Sequence, residues 1–317
     1  MKPNIVVTIG DPAGVGPEVT LKALADQEIR ELADWRIVGD AGVLHSTARA
    51  LGLGAINVPI IDLGLLNGHE VHVGELSADC GRAAVGYVKH AAELCLSGEA
   101  DAMVTAPLNK ESVSMGGMKF SGHTEYIAEV TKAKESRMLL VSKRLRVVHV
   151  TTHVSLRKAC ESTQERILRT IELGEEALQW MGTPQRRIAV CGVNPPAGEH
   201  GLFGTEDEAT IAPAIAPARA QGIDCHGPMP ADTVFLKAFR GEFELVVAMY
   251  HDQGHIPIKL IDFEATVNVS IGLPIIRTSV DHGTAFDIAG KGIADETNMK
   301  AAMRLASVMA SNRVAAA

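Results

Sequence analysis

The sequence predicts an α/β protein whose β-sheet is largely parallel. Short runs of β-branched and aliphatic residues alternate with longer segments of helical periodicity, which is the pattern of α/β folds. Several of the short runs are almost continuously apolar, as expected for strands that helices cover on both faces. The chain has 317 residues, which is enough for two domains with substantial cores.

The predicted strands are short and apolar, and the predicted helices lie between them. The strands are Ile5–Ile9, Trp35–Val38, Ala102–Thr105, Met138–Val141, Arg146–Thr151, Ile188–Val193 and Leu245–Met249. The helices are Pro17–Ala25, Cys80–Leu96, Ser162–Trp180, Glu206–Gln221 and Glu296–Met309, the last of which is expected to return to the first domain.

Composition and charge narrow the class of function. The net charge of -8 argues against a nucleic-acid-binding protein, because phosphate backbones recruit an excess of Lys and Arg. The first residues lack the pattern of a signal peptide, and no apolar stretch reaches the ~18 residues of a membrane span. We therefore expect a cytoplasmic protein that binds neither nucleic acid nor membranes. Its cysteines form no C-x-x-C pair and are predicted to be reduced thiols: Cys80, Cys95, Cys160, Cys191 and Cys225.

Polar segments follow several of the predicted strands. In open α/β sheets ligands bind beyond the carboxyl ends of the strands, so these segments are where a site is expected. They are rich in Gly and His, and they recur at the same topological position. This recurrence indicates a functional site more specifically than any single segment does. The segments are Gly10–Glu18, Ala106–Lys110, Thr152–His153, Asn194–His200 and Tyr250–His255.

The first of these loops superficially suggests a dinucleotide fingerprint. Its spacing is G-x3-G-x-G over Gly10–Gly16, whereas the Rossmann fingerprint is G-x-G-x-x-G. Two interpretations stay open: a tight strand-to-helix turn with Pro17 at the first helical position, or a loop that faces a ligand.

The histidines indicate a functional site more strongly than the first loop does. His123, His153, His251 and His255 lie in loop-like segments, mostly just after strands. Neutral imidazoles are common ligands of divalent metals, and Asp252 follows His251 directly. A lone histidine is by default structural, and the pair His153 and His251 favours a metal site only together with the family resemblance described below.

The segment Val280–Ala294 resembles the adenosine-binding segment of the isopropylmalate and isocitrate dehydrogenases. There a His-Gly-Ser/Thr-Ala loop followed by Asp-Ile-Ala-Gly approaches NAD through backbone groups, and small residues permit a close approach. The alternative is a Gly-rich loop that caps a helix. The resemblance implies that NAD is bound by His282, Gly283, Thr284, Ala285 and Asp287.

Across essentially its whole length the sequence resembles the 4-hydroxythreonine-4-phosphate dehydrogenase family, which includes the vitamin B6 pathway enzyme. The motifs that carry this resemblance are Gly10–Val19, Thr105–Lys110, Gly122–Glu125, Thr151–His153, Gly227–Thr233, Tyr250–Gly254 and Gly272–Gly283. Further segments resemble the branch that acts on 4-phospho-D-threonate or 4-phospho-D-erythronate: Gly201–Gly204, Asp232–Leu236, Gly254–Lys259 and Thr284–Ile288. The terephthalate dihydrodiol dehydrogenases share His251–Lys259.

The resemblance implies two α/β/α domains around a cleft, as in the isocitrate and isopropylmalate dehydrogenases. We expect residues 1–130 with 282–317 to form the first domain and residues 131–281 the second. It also implies a homodimer whose metal site lies between subunits. The implied reaction is NAD-dependent and metal-assisted: a small phosphorylated 3-hydroxy acid is oxidised and then decarboxylated.

The resemblance also assigns residues to the substrate and the metal. His123, Thr124, Lys259, Asn268 and Arg277 are expected to bind the substrate. The apolar, strand-like surroundings of Lys259 and Arg277, residues 256–261 and 273–276, favour a specific partner over a solvated surface charge. His153 and His251 are expected to bind a divalent metal, which we take to be Zn, Mg, Mn or Co. Lys259 and Asp252 are the candidate acid/base groups.

One position departs from the family pattern. The family has Asn-Pro-His-Ala-Gly-Glu, and its His is a third metal ligand, whereas this chain has Pro196 there. The alternatives for the third metal ligand are His200, Asp232, Asp252 and water. Because of this departure, one alternative is that the chain is a metal-deficient relative of the family that binds ligands without turning them over. A phosphate acyltransferase of related fold is a further alternative. The resemblance of Val280–Ala294 to an NAD-binding segment argues against it.

Overall fold

A computed structural model describes the backbone of residues 2–316 and the side chains of residues 2–313. This part of the chain is an α/β protein, as predicted, and it forms two compact units. Unit 1 is Met1–Ser136 together with Leu273–Ala317, and unit 2 is Arg137–Gly272. The chain therefore leaves unit 1 once and returns to it for its last strand and last helix.

The first part of unit 1 alternates strands and helices. Its strands are β1 (Asn4–Thr8), β2 (Asp34–Gly39), β3 (Ile60–Asp62) and β4 (Ala102–Thr105). Its helices are α1 (Gly16–Ala25), α2 (Gln27–Leu32), α3 (Ala41–Ala50), α4 (Ala78–Ser97), α5 (Lys110–Met115) and α6 (His123–Val130). Caps fix the longest of these: the Ser77 hydroxyl accepts from the Cys80 amide at the start of α4, and Gly98, with a φ of 79°, ends it.

Unit 2 has the same alternation. Its strands are β5 (Arg137–Val141), β6 (Arg146–His149), β7 (Ile188–Cys191), β8 (Cys225–Met229), β9 (Leu245–Ala248) and β10 (Val267–Ile271). Its α-helices are α7 (Leu156–Cys160), α8 (Gln164–Trp180), α9 (Ala212–Ala220), α10 (Ala231–Phe239) and α11 (His251–Ile261). A π-helix, Asp207–Ile211, precedes α9, so the single helix predicted over this stretch has an irregular first turn.

The return to unit 1 consists of β11 (Ile276–Ser279) and α12 (Thr297–Ala316). The second domain was expected to extend approximately to residue 281, whereas unit 2 ends at Gly272. β11 pairs with β4 in parallel register, Arg277 opposite Met103, so residues 273–281 belong to unit 1. The last helix packs on β11 and β4 of the same unit, as predicted.

Strand order explains where polar segments meet within each unit. In unit 1 the order is β3-β2-β1-β4-β11, and all pairs are parallel. In unit 2 the order is β10-β5-β6-β9-β7-β8, in which β10, β5 and β6 pair antiparallel and the remainder pair parallel. The carboxyl ends of β4 and β11, and those of β6, β9 and β7, therefore lie side by side.

One local expectation was wrong. Residues 256–261 were interpreted as strand-like because they are apolar, but they form the second half of α11. Ile258 packs in the core of unit 2 with Val147 and Val246, whereas Ile256 and Leu260 are exposed. The apolar run thus covers more than one face of a helix. Lys259 consequently projects from a helix and is half-buried.

No helix in the described part of the chain combines the length and hydropathy that crossing a bilayer requires.

Candidate active site

The loop after β1 is a buried turn. Residues 9–20 are all buried. A Cβ on Gly10 would lie 2.2 Å from the carbonyl oxygen of Pro107, and one on Gly16 would lie 2.1 Å from that of Ile9. These glycines are therefore required for close backbone packing between the ends of β1 and β4. Of the two open interpretations, the structure favours the tight turn.

The same loop holds the segment predicted to bind NAD. The Val15 amide donates to the Thr284 carbonyl oxygen over 3.0 Å. A Cβ on Gly14 would lie 2.9 Å from the Cβ of Thr284, so the two backbones are in direct contact. Thr284 is buried in this contact, whereas Gly283 is exposed.

A second anchor holds the far end of that segment. The Glu18 carboxylate accepts from the Ala294 amide (2.9 Å) and from Nζ of Lys22 (2.8 Å). Lys22 in turn donates to the carbonyl oxygens of Gly292 (2.9 Å) and Ala294 (2.8 Å). Both ends of the segment are therefore fixed to α1 and the turn before it.

The exposed middle of the segment has the chemistry expected of a cofactor site. A Cβ on Gly283 would meet no atom within 4 Å, so space lies open beside its backbone. The ring of His282 is fixed by Nδ1, 2.9 Å from the Gly283 carbonyl oxygen, and its Nε2 is buried without a partner. Asp287 is exposed, and Ala285 has a φ of 42°. An orphan nitrogen beside open backbone fits a ligand that approaches this loop.

A buried cation lies at the carboxyl ends of β4 and β11 in unit 1. Arg277 is 2 % exposed and donates from Nε (3.1 Å) and Nη2 (2.7 Å) to the hydroxyl oxygen of Thr105. Burial lowers the pKa of its guanidinium, and the charge of Glu125 partly offsets this. The group remains charged at neutral pH, because guanidinium is not deprotonated in proteins. A buried guanidinium beside a neutral imidazole suits an anionic group of a ligand.

His123, the first residue of α6, faces this cation. Its side chain is half-buried, and Nε2 is enclosed without a hydrogen-bond partner. Burial lowers its pKa well below the usual value, and the charges of Arg277 and Lys110 lower it further. His123 is therefore neutral at pH 7 and keeps an unused hydrogen-bonding nitrogen. Thr124, which follows it in α6, is half-buried.

The remaining predicted substrate residues lie in unit 2. Asn268 is in β10, and its Oδ1 is buried without a partner. Lys259 is in α11, with Nζ 5.5 Å from the centre of the Phe263 ring. An unsatisfied buried amide oxygen costs free energy, so Asn268 is a candidate for binding a donor on a ligand.

The predicted metal ligands are brought together in unit 2. The Thr151 hydroxyl donates to the Met249 carbonyl oxygen over 2.8 Å, which joins the chain after β6 to the chain after β9. His153 and His251 follow these two strands, and their ring centres are 5.9 Å apart. His251 Nδ1 is 2.7 Å from the carboxylate of Asp252, so Nδ1 carries the proton and Nε2 has its lone pair available. Carboxylate-bound imidazole of this kind is the usual form of a metal-binding histidine.

The rest of the His251–His255 motif fixes α11 on its sheet. Gln253 accepts from the Met249 amide (2.7 Å) and donates to the Gly192 carbonyl oxygen (2.8 Å). A Cβ on Gly254 would lie 2.4 Å from Nε2 of His149, so glycine is needed for the helix to approach β6. His255 is buried, with Nδ1 3.1 Å from Nε2 of His149.

A model of the family described as "Pyridoxal phosphate biosynthetic protein PdxA" matches residues 4–306. The chain belongs to this family. It is 48% identical to the D-threonate 4-phosphate dehydrogenase of Cupriavidus necator, over 98% of each chain. Among solved structures it is similar to 4-hydroxythreonine-4-phosphate dehydrogenases from Burkholderia phymatum (46% identity, TM-score 0.86) and Klebsiella pneumoniae (42%, 0.89), over 98% of each chain in both cases.

Membership of the PdxA family confirms the resemblance recognised in the sequence and makes the chain an enzyme, a dehydrogenase. It also makes the departure from the family pattern at Pro196 significant. This residue is exposed. The Asp207 carboxylate fixes the start of this loop by accepting from the amides of Val193 (2.8 Å) and Asn194 (3.2 Å). These bonds hold the chain just before Pro196 against the π-helix that begins at Asp207.

Neither predicted substitute for that ligand lies in a metal-binding group. The His200 side chain is 98% exposed, with Nδ1 3.5 Å from the Glu208 carboxylate, and Asp232 is exposed on α10. Among the described residues, no three His, Cys, Asp or Glu side chains are already turned toward one ion.

His149, which is 1 % exposed at the end of β6, was not among the residues predicted from the sequence. A single histidine that ends an apolar strand gives no signal, and its partner His255 is 106 residues away. Burial lowers the pKa of His149 to about 3 and that of His255 to about 4, and the charges of neighbouring histidines add to this. Both rings are therefore neutral at pH 7.

Proposed function

We propose that this PdxA-family dehydrogenase uses NAD and a divalent metal to oxidise and decarboxylate a 4-phosphorylated 3-hydroxy acid, with 4-phospho-D-threonate as the first candidate. The observation that carries the proposal is the buried Arg277 beside the unpartnered nitrogen of His123. Such a pair suits a substrate with an anionic group and a hydroxyl. A relative that is 48% identical has the name D-threonate 4-phosphate dehydrogenase.

The reaction removes a hydride from C3 of the substrate and a proton from its C3 hydroxyl. The product is a β-keto acid, which loses CO2 when the negative charge that develops on its oxygen is stabilised. When bound, NAD supplies the hydride acceptor and a divalent metal supplies a Lewis acid at the substrate oxygen. The chain's own residues bind the anionic ends, orient the hydroxyl and move its proton.

We assign the proton transfer to Nζ of Lys259. Of the two acid/base candidates, Asp252 is already engaged with Nδ1 of His251 at 2.7 Å, which favours an orienting role for its carboxylate. Arg277 binds an anionic group of the substrate, and His123 contacts it through Nε2. Thr124 and Asn268 are assigned to the substrate as well, the latter because its buried Oδ1 lacks a donor.

The cofactor assignment is supported by the open backbone of the segment that contains His282–Asp287. Gly283 leaves room for close approach, and His282 has an unpartnered nitrogen beside it. The metal assignment is supported by His153 and His251, whose rings lie 5.9 Å apart, and by the carboxylate that orients the second ring. Imidazole donors of this kind suit Zn or Co better than Mg or Mn.

We also propose a homodimer. α11 exposes large apolar side chains, Ile256 (63% exposed) and Leu260 (85%), and Phe263 (66%) follows directly after it. An exposed apolar cluster of this size on one helix is typical of a protein–protein contact, and a second copy of the chain is the partner we propose. Mass measurement in solution tests this, and a monomer that turns over substrate would refute it.

A ligand-binding relative without turnover is the second candidate, favoured by Pro196. One assay separates the two. Purified protein, NAD and Mg, Mn, Co or Zn are mixed with 4-phospho-D-threonate, 4-phospho-D-erythronate or 4-phosphohydroxy-L-threonine, and NADH is followed by absorbance. We expect NADH with at least one acid, and none with His153→Ala or His251→Ala, both of which still bind NAD. Binding of acid and NAD without NADH would establish the second candidate.

A further inference from the structure

Lys110 is a charged residue beside the candidate active site that the function proposed above does not use. It ends the motif Thr105–Lys110 and is the first residue of α5. The segment Gly122–Glu125, which contains His123, begins α6. Both helices pack against α4, so one common helix holds the start of α5 and the start of α6.

Hydrogen bonds fix the backbone on which Lys110 stands. The Asn109 side chain accepts from two amides of the first turn of α5, over 2.8 Å and 3.0 Å, and therefore caps this helix. Just before it, the Pro107 carbonyl oxygen accepts from the Asp11 amide over 2.9 Å. The backbone of Lys110 is thus held at the end of β4, while its side chain is exposed.

The ammonium group of Lys110 reaches Gly122, the residue that precedes α6. A Cβ built on Gly122 would lie 3.9 Å from Nζ of Lys110 and 2.6 Å from Oε2 of Glu125. The positive charge therefore lies beside the first turn of α6, where His123 faces Arg277. Burial lowers the pKa of His123, and the charges of Arg277 and Lys110 lower it further, so both cations act on the same imidazole.

The charge of Lys110 is not neutralised by a carboxylate. Within the described residues its Nζ forms no ion pair, although the exposed Glu125 carboxylate lies beside the same glycine. A phosphate monoester carries a charge of about −1.5 to −2 at pH 7, whereas a carboxylate carries a single negative charge. Two cations that act on one imidazole therefore suit the phosphate of a substrate better than its carboxylate.

We infer that Lys110 is a further substrate-binding residue, whose Nζ binds the phosphate of the acid together with the guanidinium of Arg277. This assignment rests on the function proposed above and deepens it, because it states which end of the substrate lies here. A phosphate dianion only accepts hydrogen bonds, so His123 contributes the N–H of Nε2. The carboxylate of the substrate is then bound outside this group of residues.

Direct binding measurements test the role of Lys110 without relying on turnover. Lys110→Gln removes the charge, Lys110→Arg retains it, and Lys89→Gln removes an exposed charge of α4 as the matched control. Each protein is titrated by calorimetry with 4-phospho-D-threonate, with unphosphorylated D-threonate and with inorganic phosphate. Melting temperatures are measured in parallel and should not differ, because both lysines are exposed.

Lys110→Gln should affect only the ligands that contain phosphate. We expect it to weaken binding of 4-phospho-D-threonate and of inorganic phosphate roughly tenfold, which corresponds to the loss of about one charge-assisted hydrogen bond. Its affinity for D-threonate should equal that of the wild type. Lys110→Arg should retain most of the affinity for phosphate, and Lys89→Gln should change none of the three affinities.

Glu125→Gln should have the opposite effect. The Glu125 carboxylate lies beside Lys110 and its charge acts on Arg277, so it repels a phosphate bound to these cations. The neutral amide should strengthen binding of both phosphate ligands and leave D-threonate unchanged. Damage to the start of α6 would instead weaken binding, so weaker phosphate binding in Glu125→Gln would contradict a phosphate at this position.

The remaining outcomes separate the role of Lys110 from the function proposed above. If Lys110→Gln binds both phosphate ligands as the wild type does, Lys110 is not a substrate residue, and the proposed function is unaffected. If D-threonate loses as much affinity as the phosphorylated acid, Lys110 does not recognise the phosphate and the assignment is refuted. If the wild type binds neither 4-phospho-D-threonate nor inorganic phosphate, the substrate class proposed above is itself wrong.

Discussion

Arg277 of β11 donates two hydrogen bonds to the single hydroxyl oxygen of Thr105 of β4, at 3.1 Å and 2.7 Å. The two residues are 172 positions apart in the chain but lie on adjacent strands, because β11 returns to unit 1 and pairs in parallel with β4. This contact fixes the plane of a buried guanidinium at the end of two strands. The planar group, rather than its charge alone, is what recognises the substrate in our account.

Arg277→Lys therefore tests the shape of the cation. Lysine keeps the charge but lacks the planar fork, so its donors are not held in the fixed arrangement that binds Thr105 and an anionic group of the substrate in one plane. We expect KM for the phosphorylated acid to rise roughly tenfold or more, equivalent to about 1.4 kcal/mol. Arg240→Lys, at an exposed helix end, is the control. An unchanged KM in Arg277→Lys would remove Arg277 from the substrate site.

Glycine substitutions distinguish the scaffold of the cofactor segment from its binding surface. Gly283→Ala adds a methyl group where the protein has open space, so thermal stability should be unaffected while NAD affinity falls. Gly14→Ala forces a methyl group against Thr284, 2.9 Å away, and should lower the melting temperature. Calorimetry and NAD titration of both variants measure this. Unchanged NAD binding in Gly283→Ala would mean that the cofactor does not approach that backbone.

The anchor formed by Glu18 and Lys22 should affect the binding of NAD but not the binding of the substrate. Lys22→Met removes the hydrogen bonds to Gly292 and Ala294 and loosens the end of the cofactor segment. We expect a several-fold rise in KM for NAD with KM for the acid unchanged. Lys89→Met disrupts an exposed pair with Glu93 at the same helical spacing and is the matched control. Equal effects on both KM values would indicate general destabilisation of unit 1.

Acid should destabilise the protein through His123. Its folded pKa is depressed by burial, so the unfolded chain binds this proton more readily than the native protein does. The contribution of neutral His123 to the free energy of unfolding is therefore complete above the pKa of the unfolded chain, about 6.5. It is lost as pH falls below that value, by at most about 1.4 kcal/mol per pH unit. Denaturant unfolding between pH 7.5 and 5.5 should show a smaller loss for His123→Asn than for the wild type. Equal losses would contradict the assignment.

Sequence patterns predicted the strands and helices whose burial is uniform along the element. β1, β4, β7 and β9 are fully buried or nearly so, and their apolar runs were recognised with bounds close to those observed. β8 was missed because its sequence, Cys-His-Gly-Pro-Met, contains two residues that disfavour strands. Residues 256–261 were misread because an apolar run of that length does not distinguish a strand from a helix segment.

The candidate site was predictable where a motif is contiguous and not where it is assembled by the sheet. His153, His251 and the segment around Gly283 follow strands directly, so their position was expected. The contacts of Arg277 with Thr105 and of His255 with His149 join residues more than 100 positions apart. No local pattern contains that information, because strand order decides which loop ends become neighbours.

The central claim is tested most directly by counting CO2 and NADH in the same reaction. Purified protein is supplied with saturating NAD, 4-phospho-D-threonate and each of Zn, Co, Mn and Mg in turn, and both products are measured over time. We expect NADH to form only when a metal is present, with one CO2 released for each NADH. Absence of NADH with all four metals, or NADH without CO2, would contradict it.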